Sequence, residues 1–167
     1  LNLTLYLSEI VAALLEAKFK FNEVPGIVKL CTQLHLLYED FTNPLISGLK
    51  ESLLQHDGDG KRKRIQIRFL IELYQVGIFT EDSFFRQLIR FIVGKPTKDS
   101  TVKANGAIDL SSLVTYVKYG CEVLMGYTPR RLQVVAQQAG KTEKDIPSKI
   151  LTPDAISNEI RLQVSQA

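Results

Sequence analysis

The chain has 167 residues, of which 45% are hydrophobic and 23% charged, and this balance excludes disorder as its main state. Two cysteines exclude a disulfide-rich secreted scaffold, and no apolar run approaches the roughly 20 residues that span a bilayer. Twenty-one basic against 18 acidic side chains leave a net charge of +3, too little to argue by itself for a nucleic-acid partner.

Period-two alternation bounded by turn residues is scarce, and helical spacing recurs almost throughout. Leu7, Ile10, Val11, Leu14 and Leu15 predict a first helix over about residues 8–18, with Ser8 at its start. The second opens at Pro25-Gly26 and carries the stripe Ile27, Leu30, Cys31, Leu34, Leu37 and Phe41. Thr42-Asn43-Pro44 breaks it. Asn43 is expected to cap a third helix with Pro44 first, followed by Leu45, Ile46, Leu49 and Leu53. Asp57-Gly58-Asp59-Gly60 reads as a loop.

The fourth helix, Lys61 to Val76, is apolar nearly all round through Ile65, Ile67, Phe69, Leu70, Ile71 and Leu73, so neighbours on several sides must cover it. Gly77 ends it in a left-handed conformation. Thr80 is expected to cap a fifth helix faced by Phe84, Phe85, Leu88, Ile89 and Ile92, ending at Gly94. Residues 95–108 read as a polar loop. Asp109 caps a sixth helix with Leu110, Leu113, Val117, Cys121 and Leu124 as its stripe, ending at Gly126. Thr128-Pro129 opens a seventh, with Leu132, Val135, Ala136 and Ala139 inward and Gly140 as its stop. Thr152-Pro153 opens an eighth, using Ile156, Ile160 and Val164.

Links 2–3, 4–5 and 6–7 are short and the others longer, which predicts three antiparallel helical hairpins. Their starts, near residues 26, 62 and 109, suit HEAT-type spacing. The expected fold is all-α, a HEAT-like helical repeat (α-solenoid) of about eight helices, with the first and last closing the ends. Residues 1–167 are expected to form one domain. Because the sequence opens on Leu1, that domain is expected to be a fragment of a larger multidomain protein.

The segment Ile67-Arg68-Phe69-Leu70-Ile71-Glu72-Leu73-Tyr74-Gln75-Val76-Gly77-Ile78-Phe79 resembles a pattern of middle domains of eukaryotic translation initiation factor 4 gamma type. Val28 to Cys31, Tyr38 to Phe41 and Gly126-Tyr127-Thr128-Pro129-Arg130-Arg131 look similar too, and Cys121 matches a cysteine before the last block. The likeness runs strongest toward up-frameshift scaffolds of nonsense-mediated mRNA decay. It departs at the 57–60 and 95–106 loops and around 141–150. The resemblance implies a cytoplasmic, non-catalytic scaffold or protein-interaction domain, monomeric in isolation. Its implied partners are other mRNA-surveillance proteins. It supplies no catalytic residue, cofactor, membrane contact or small-molecule substrate. Docking of a DEAD-box RNA helicase and direct RNA binding are the alternatives.

Three candidate sites follow from the residues. Arg68 and Glu72, at i and i+4 among apolar neighbours, are expected to form a structural ion pair bracketing helices. Lys61-Arg62-Lys63-Arg64 is a candidate contact for RNA phosphate or a partner. Four cations oppose the dipole of the helix they open, and no aromatic residue is interleaved to stack a base. Arg130-Arg131 is equally awkward at a helix start and calls for an acidic partner, preferably within the chain. Cys31, His35, His56 and Cys121 could supply a zinc set, but both cysteines fall in core stripes and read better as small buried hydrophobes. No phosphate-binding loop, metalloprotease helix or nucleophile elbow is present, so no enzyme chemistry or cofactor is expected.

Overall fold

The computed structural model describes residues 3–55, 59–94, 108–142, 151 and 153–166. Among these residues it is all-helical: α1 (Leu7–Glu16), α2 (Val24–Leu37), α3 (Thr42–Leu54), α4 (Gly60–Gln75), α5 (Asp82–Ile92), α6 (Leu110–Gly120), α7 (Arg130–Gln138) and α8 (Asp154–Ser165). Short 3-10 turns at Thr4–Tyr6, Phe21–Glu23 and Glu39–Phe41 join or precede the first three. The chain divides into two compact units, Leu1–Thr80 and Glu81–Ala167. His56 and most of the expected 95–108 loop lie outside the described residues.

In the first unit, helices pack on their second neighbours, α1 on α3 and α2 on α4, while α3 also meets α4. That is how a repeat buries a face its own hairpin cannot cover. α4 is the element most enclosed, with Ile67, Leu70, Ile71 and Leu73 fully buried. Its C-terminus closes as expected: Gly77 has φ +81°. Gly77 N–H donates to the Tyr74 carbonyl at 3.1 Å and Ile78 N–H to that of Leu73 at 3.0 Å. These paired bonds satisfy carbonyls that the helix leaves open.

Two expectations shift in this unit. The buried face of α2 is Val24, Val28, Cys31 and Leu34, whereas Leu30 and Leu37 are exposed at 49% and 70%. The helix is apolar enough to offer two overlapping stripes, and packing on α4 selects one of them. In α3, Phe41 rather than Asn43 occupies the N-cap, because the Glu39–Phe41 turn runs straight into the helix. Pro44 is then the third residue and still costs no hydrogen bond, since the first four helical N–H groups have no partner within the helix.

In the second unit α5 packs on α6 and, most extensively, on α8. α5 begins at Asp82 because Glu81, with φ −88° and ψ 89°, is the last non-helical residue, so Thr80 does not cap it. α6 keeps Leu113 of the expected stripe inward, and Leu124 beyond its end is buried too, but the stripe does not hold along the whole helix. Leu110 is 67% exposed and Cys121 lies just past the helix end, while Tyr116 is completely buried. The Tyr116 ring meets Phe85 edge-on at 6.4 Å, and its hydroxyl donates to the Phe85 carbonyl at 3.1 Å. A tyrosine brings more apolar area than a leucine and needs such an acceptor when buried, so its placement sets the helix rotation. Along α7 only Ala136 is buried, and Val135 and Ala139 face out. α8 buries Ile160 and Ser157 and is a packing element of α5 as well as an end of the chain.

Candidate partner-binding site

The first turn of α4 decides what the basic run can do. Asp59 is its N-cap: its Oδ1 accepts from Lys61 N–H at 3.0 Å, placing a carboxylate where the helix dipole favours one. Arg62 donates from its guanidinium to the Leu15 carbonyl at 2.6 Å. Leu15 is in the last turn of α1, where carbonyls lack partners in their own helix, so Arg62 completes that end. Arg64 donates to the Gly60 carbonyl at 3.3 Å. Two of the four cations are therefore tied to backbone, and Lys61 is exposed.

These side chains border a cleft of about 560 Å³ inside the first unit. α1 and the chain just after it contribute Leu14, Leu15, Lys18 and Phe19; α3 contributes Leu49 and Ser52; α4 contributes Lys61, Arg62, Lys63, Ile65 and Phe69. In one wall Gln66 Nε2 donates to Ser52 Oγ at 2.8 Å, which satisfies an almost fully buried amide. Phe19 and Phe69 meet edge-on at 6.3 Å. The basic run was legible in the sequence. The apolar floor was not, because it is assembled from three separated elements.

Arg68 and Glu72 sit farther along α4. Arg68 Nε pairs with Glu72 Oε1 at 2.6 Å, the two side chains being 12% and 16% exposed. A second guanidinium nitrogen donates to the Phe21 carbonyl at 2.8 Å, and the guanidinium lies 4.7 Å from the Phe21 ring centroid. The link thus ties α4 to the 3-10 turn that precedes α2. Glu72 holds the arginine in place from within the same helix.

Arg130 and Arg131 are exposed at the start of α7, and among the described residues neither meets an acidic partner. The ion pairs of the second unit lie elsewhere: Arg86 bonds Glu159 at 3.1 Å, and Arg90 bonds the other oxygen of the same carboxylate. Neither was expected, since Arg86 and Glu159 are 73 residues apart. Cys31 is buried in α2, and burial pushes its thiol up to about 12. His35 is exposed and pairs through Nδ1 with Thr42 Oγ1 at 2.7 Å. Among the described residues no three His, Cys, Asp or Glu side chains gather as a metal site.

The helix order and the packing of alternate helices define an all-helical repeat fold. Among solved structures, the first MIF4G domain of human nonsense mediated decay factor UPF2 matches with a TM-score of 0.77, covering 99% of this chain and 53% of that one at 24% identity. No family model matches the chain. Its sequence homologues are regulators of nonsense transcripts 2. The human protein is 27% identical over 161 residues, and the match covers 92% of this chain but 12% of that protein. Regulator of nonsense transcripts UPF2 of Arabidopsis thaliana is 32% identical over 99 residues, covering 53% of this chain and 8% of the relative. The chain therefore spans about an eighth of the human relative's length. The likeness read from the Ile67–Phe79 segment holds at the scale of the whole chain.

Proposed function

We propose that the chain is a non-catalytic scaffold domain of an mRNA-surveillance factor acting in the cytoplasm, and that it works by presenting a helical surface to other surveillance proteins. The supporting observation is a likeness to regulator of nonsense transcripts 2 that covers 92% of the chain in sequence, with the first MIF4G domain of UPF2 as its structural counterpart. Packed helices with buried cores hold side chains in fixed positions, which suits docking. The polar groups of α4 described above serve a helix cap, open carbonyls and an ion pair.

The test is a chimaera of the human relative in which this chain replaces the first MIF4G domain. It is expressed in cells depleted of the endogenous protein together with a premature-stop reporter. The expected result is restored decay of the reporter message. A chimaera of normal abundance that leaves the message stable would overturn the proposal. A stoichiometric complex of the isolated chain with a DEAD-box helicase, with no surveillance protein bound, would replace it with the helicase-docking reading.

A further inference from the structure

The cleft at the start of α4 pairs an apolar floor with a basic edge, and the two features ask for different parts of one ligand. Among the described residues four cationic side chains line it, Lys18, Lys61, Arg62 and Lys63, against a single carboxylate, Asp59. That carboxylate is already engaged as the α4 cap. Lys18 and Lys61 are exposed and can turn toward a ligand. Leu14, Leu15, Ile65 and Phe19 are half-buried, so apolar surface inside the cleft still meets water. Covering it would release hydration at roughly 25 cal/mol per Å². The volume, about 560 Å³, lies within the roughly 300–1,000 Å³ common for binding clefts.

Single-stranded nucleic acid fits this surface poorly. It needs a charged track with aromatic faces along it. Here the open surface is mainly aliphatic, Phe69 is buried, and Phe19 packs against it. An acidic peptide with apolar anchors matches both features. We propose that the cleft receives a short acidic segment of a protein partner. Its Leu or Phe side chains enter between α1, α3 and α4, and its Asp or Glu carboxylates pair with Lys18 and Lys61. The proposal rests on the cleft alone and stands or falls separately from the mRNA-surveillance reading.

The test uses the full 167-residue chain and fluorescence polarisation. The probes are a labelled synthetic peptide that interleaves Asp and Glu with Leu and Phe, the same peptide with every Leu and Phe replaced by Ser, and oligouridine. The Leu/Phe peptide should bind at least about tenfold tighter than the Ser peptide. The double variant Lys18→Glu/Lys61→Glu should lose about tenfold or more for the Leu/Phe peptide, with a thermal melt no lower than that of the wild type, because both side chains are exposed and a glutamate suits the first turn of α4. Lys29→Glu/Lys141→Glu makes the same change in net charge at exposed residues outside the cleft and should leave the affinity unaltered. Equal binding of the two peptides would overturn the proposal, as would equal losses in the two double variants. Displacement of the peptide by oligouridine, sensitive to Lys18→Glu/Lys61→Glu, would assign the cleft to nucleic acid instead.

Discussion

Arg68 makes three kinds of contact from one side chain: an ion pair with Glu72, a hydrogen bond to the Phe21 carbonyl and a cation–π approach to the Phe21 ring. A lysine could not do all three, since only a planar fork presents several donors while lying over a ring. Arg68→Ala would leave the Glu72 carboxylate largely buried without its counter-charge, and the expected cost is about 3 kcal/mol or more. Glu72→Gln should cost less, about 1 kcal/mol, because the arginine keeps its bond to Phe21. Urea melts of the two variants check the order, and equal stability of Arg68→Ala and wild type would contradict it. The i, i+4 spacing made the ion pair readable in the sequence. The Phe21 end of the link was not, because it lies 47 residues away. Arg62 reaches Leu15 across the same separation of 47, so the two contacts fix α4 against one earlier stretch of chain at two places.

At the scale of elements, what was legible was local. The Asp109 cap is the clearest instance: Oδ1 accepts from Ser112 N–H at 3.1 Å, and Oδ2 accepts from the Ser112 hydroxyl at 2.6 Å. A cap needs only residues three positions apart, so the sequence carries the whole signal. Asp109→Ala should lower stability by about 1 kcal/mol, and Asp109→Asn should restore most of that, as chemical denaturation followed by circular dichroism will show. Asp59, by contrast, was read as part of a loop, although it caps α4 and offsets the four cations behind it. The rotation of α2 was hidden for a different reason. Val24 and Val28 compete with Ile27 and Leu30 for the inward position, and α4, distant in sequence, decides between them. The cleft belongs to the same class. Its basic edge is contiguous in sequence, but Leu14, Leu49 and Phe69 come from three helices or their ends, and no local period brings them together.

At the scale of the molecule, Cys31 in the first unit and Tyr116 in the second are weak acids buried in the core, and both respond to pH in the same direction. In the first unit burial raises the Cys31 thiol from 9.0 to about 12; in the second it lifts the Tyr116 hydroxyl well above 10.0. Desolvation disfavours the charged form, so the folded chain keeps these protons while the unfolded chain gives them up at the ordinary values. Well below pH 9 both states hold both protons, and neither group changes stability with pH. From pH 9 to about 12 the unfolded state binds fewer protons at Cys31, so stability falls as pH rises, and Tyr116 adds to the fall above 10.0. The urea midpoint should therefore show no loss from these groups well below pH 9 and a decline that sets in as pH approaches 9 and steepens above it. Cys31→Ala should remove the part of the decline that begins near 9, and Tyr116→Phe the part that begins near 10. The same burial makes a kinetic prediction, since the thiolate is the reactive species. Maleimide at neutral pH should label the half-exposed Cys121 while sparing Cys31, and urea should abolish the difference. Equal labelling of both thiols in the native chain, or an alkaline decline unaltered in Cys31→Ala, would mean that α2 does not hold Cys31 away from water as its packing on α4 requires.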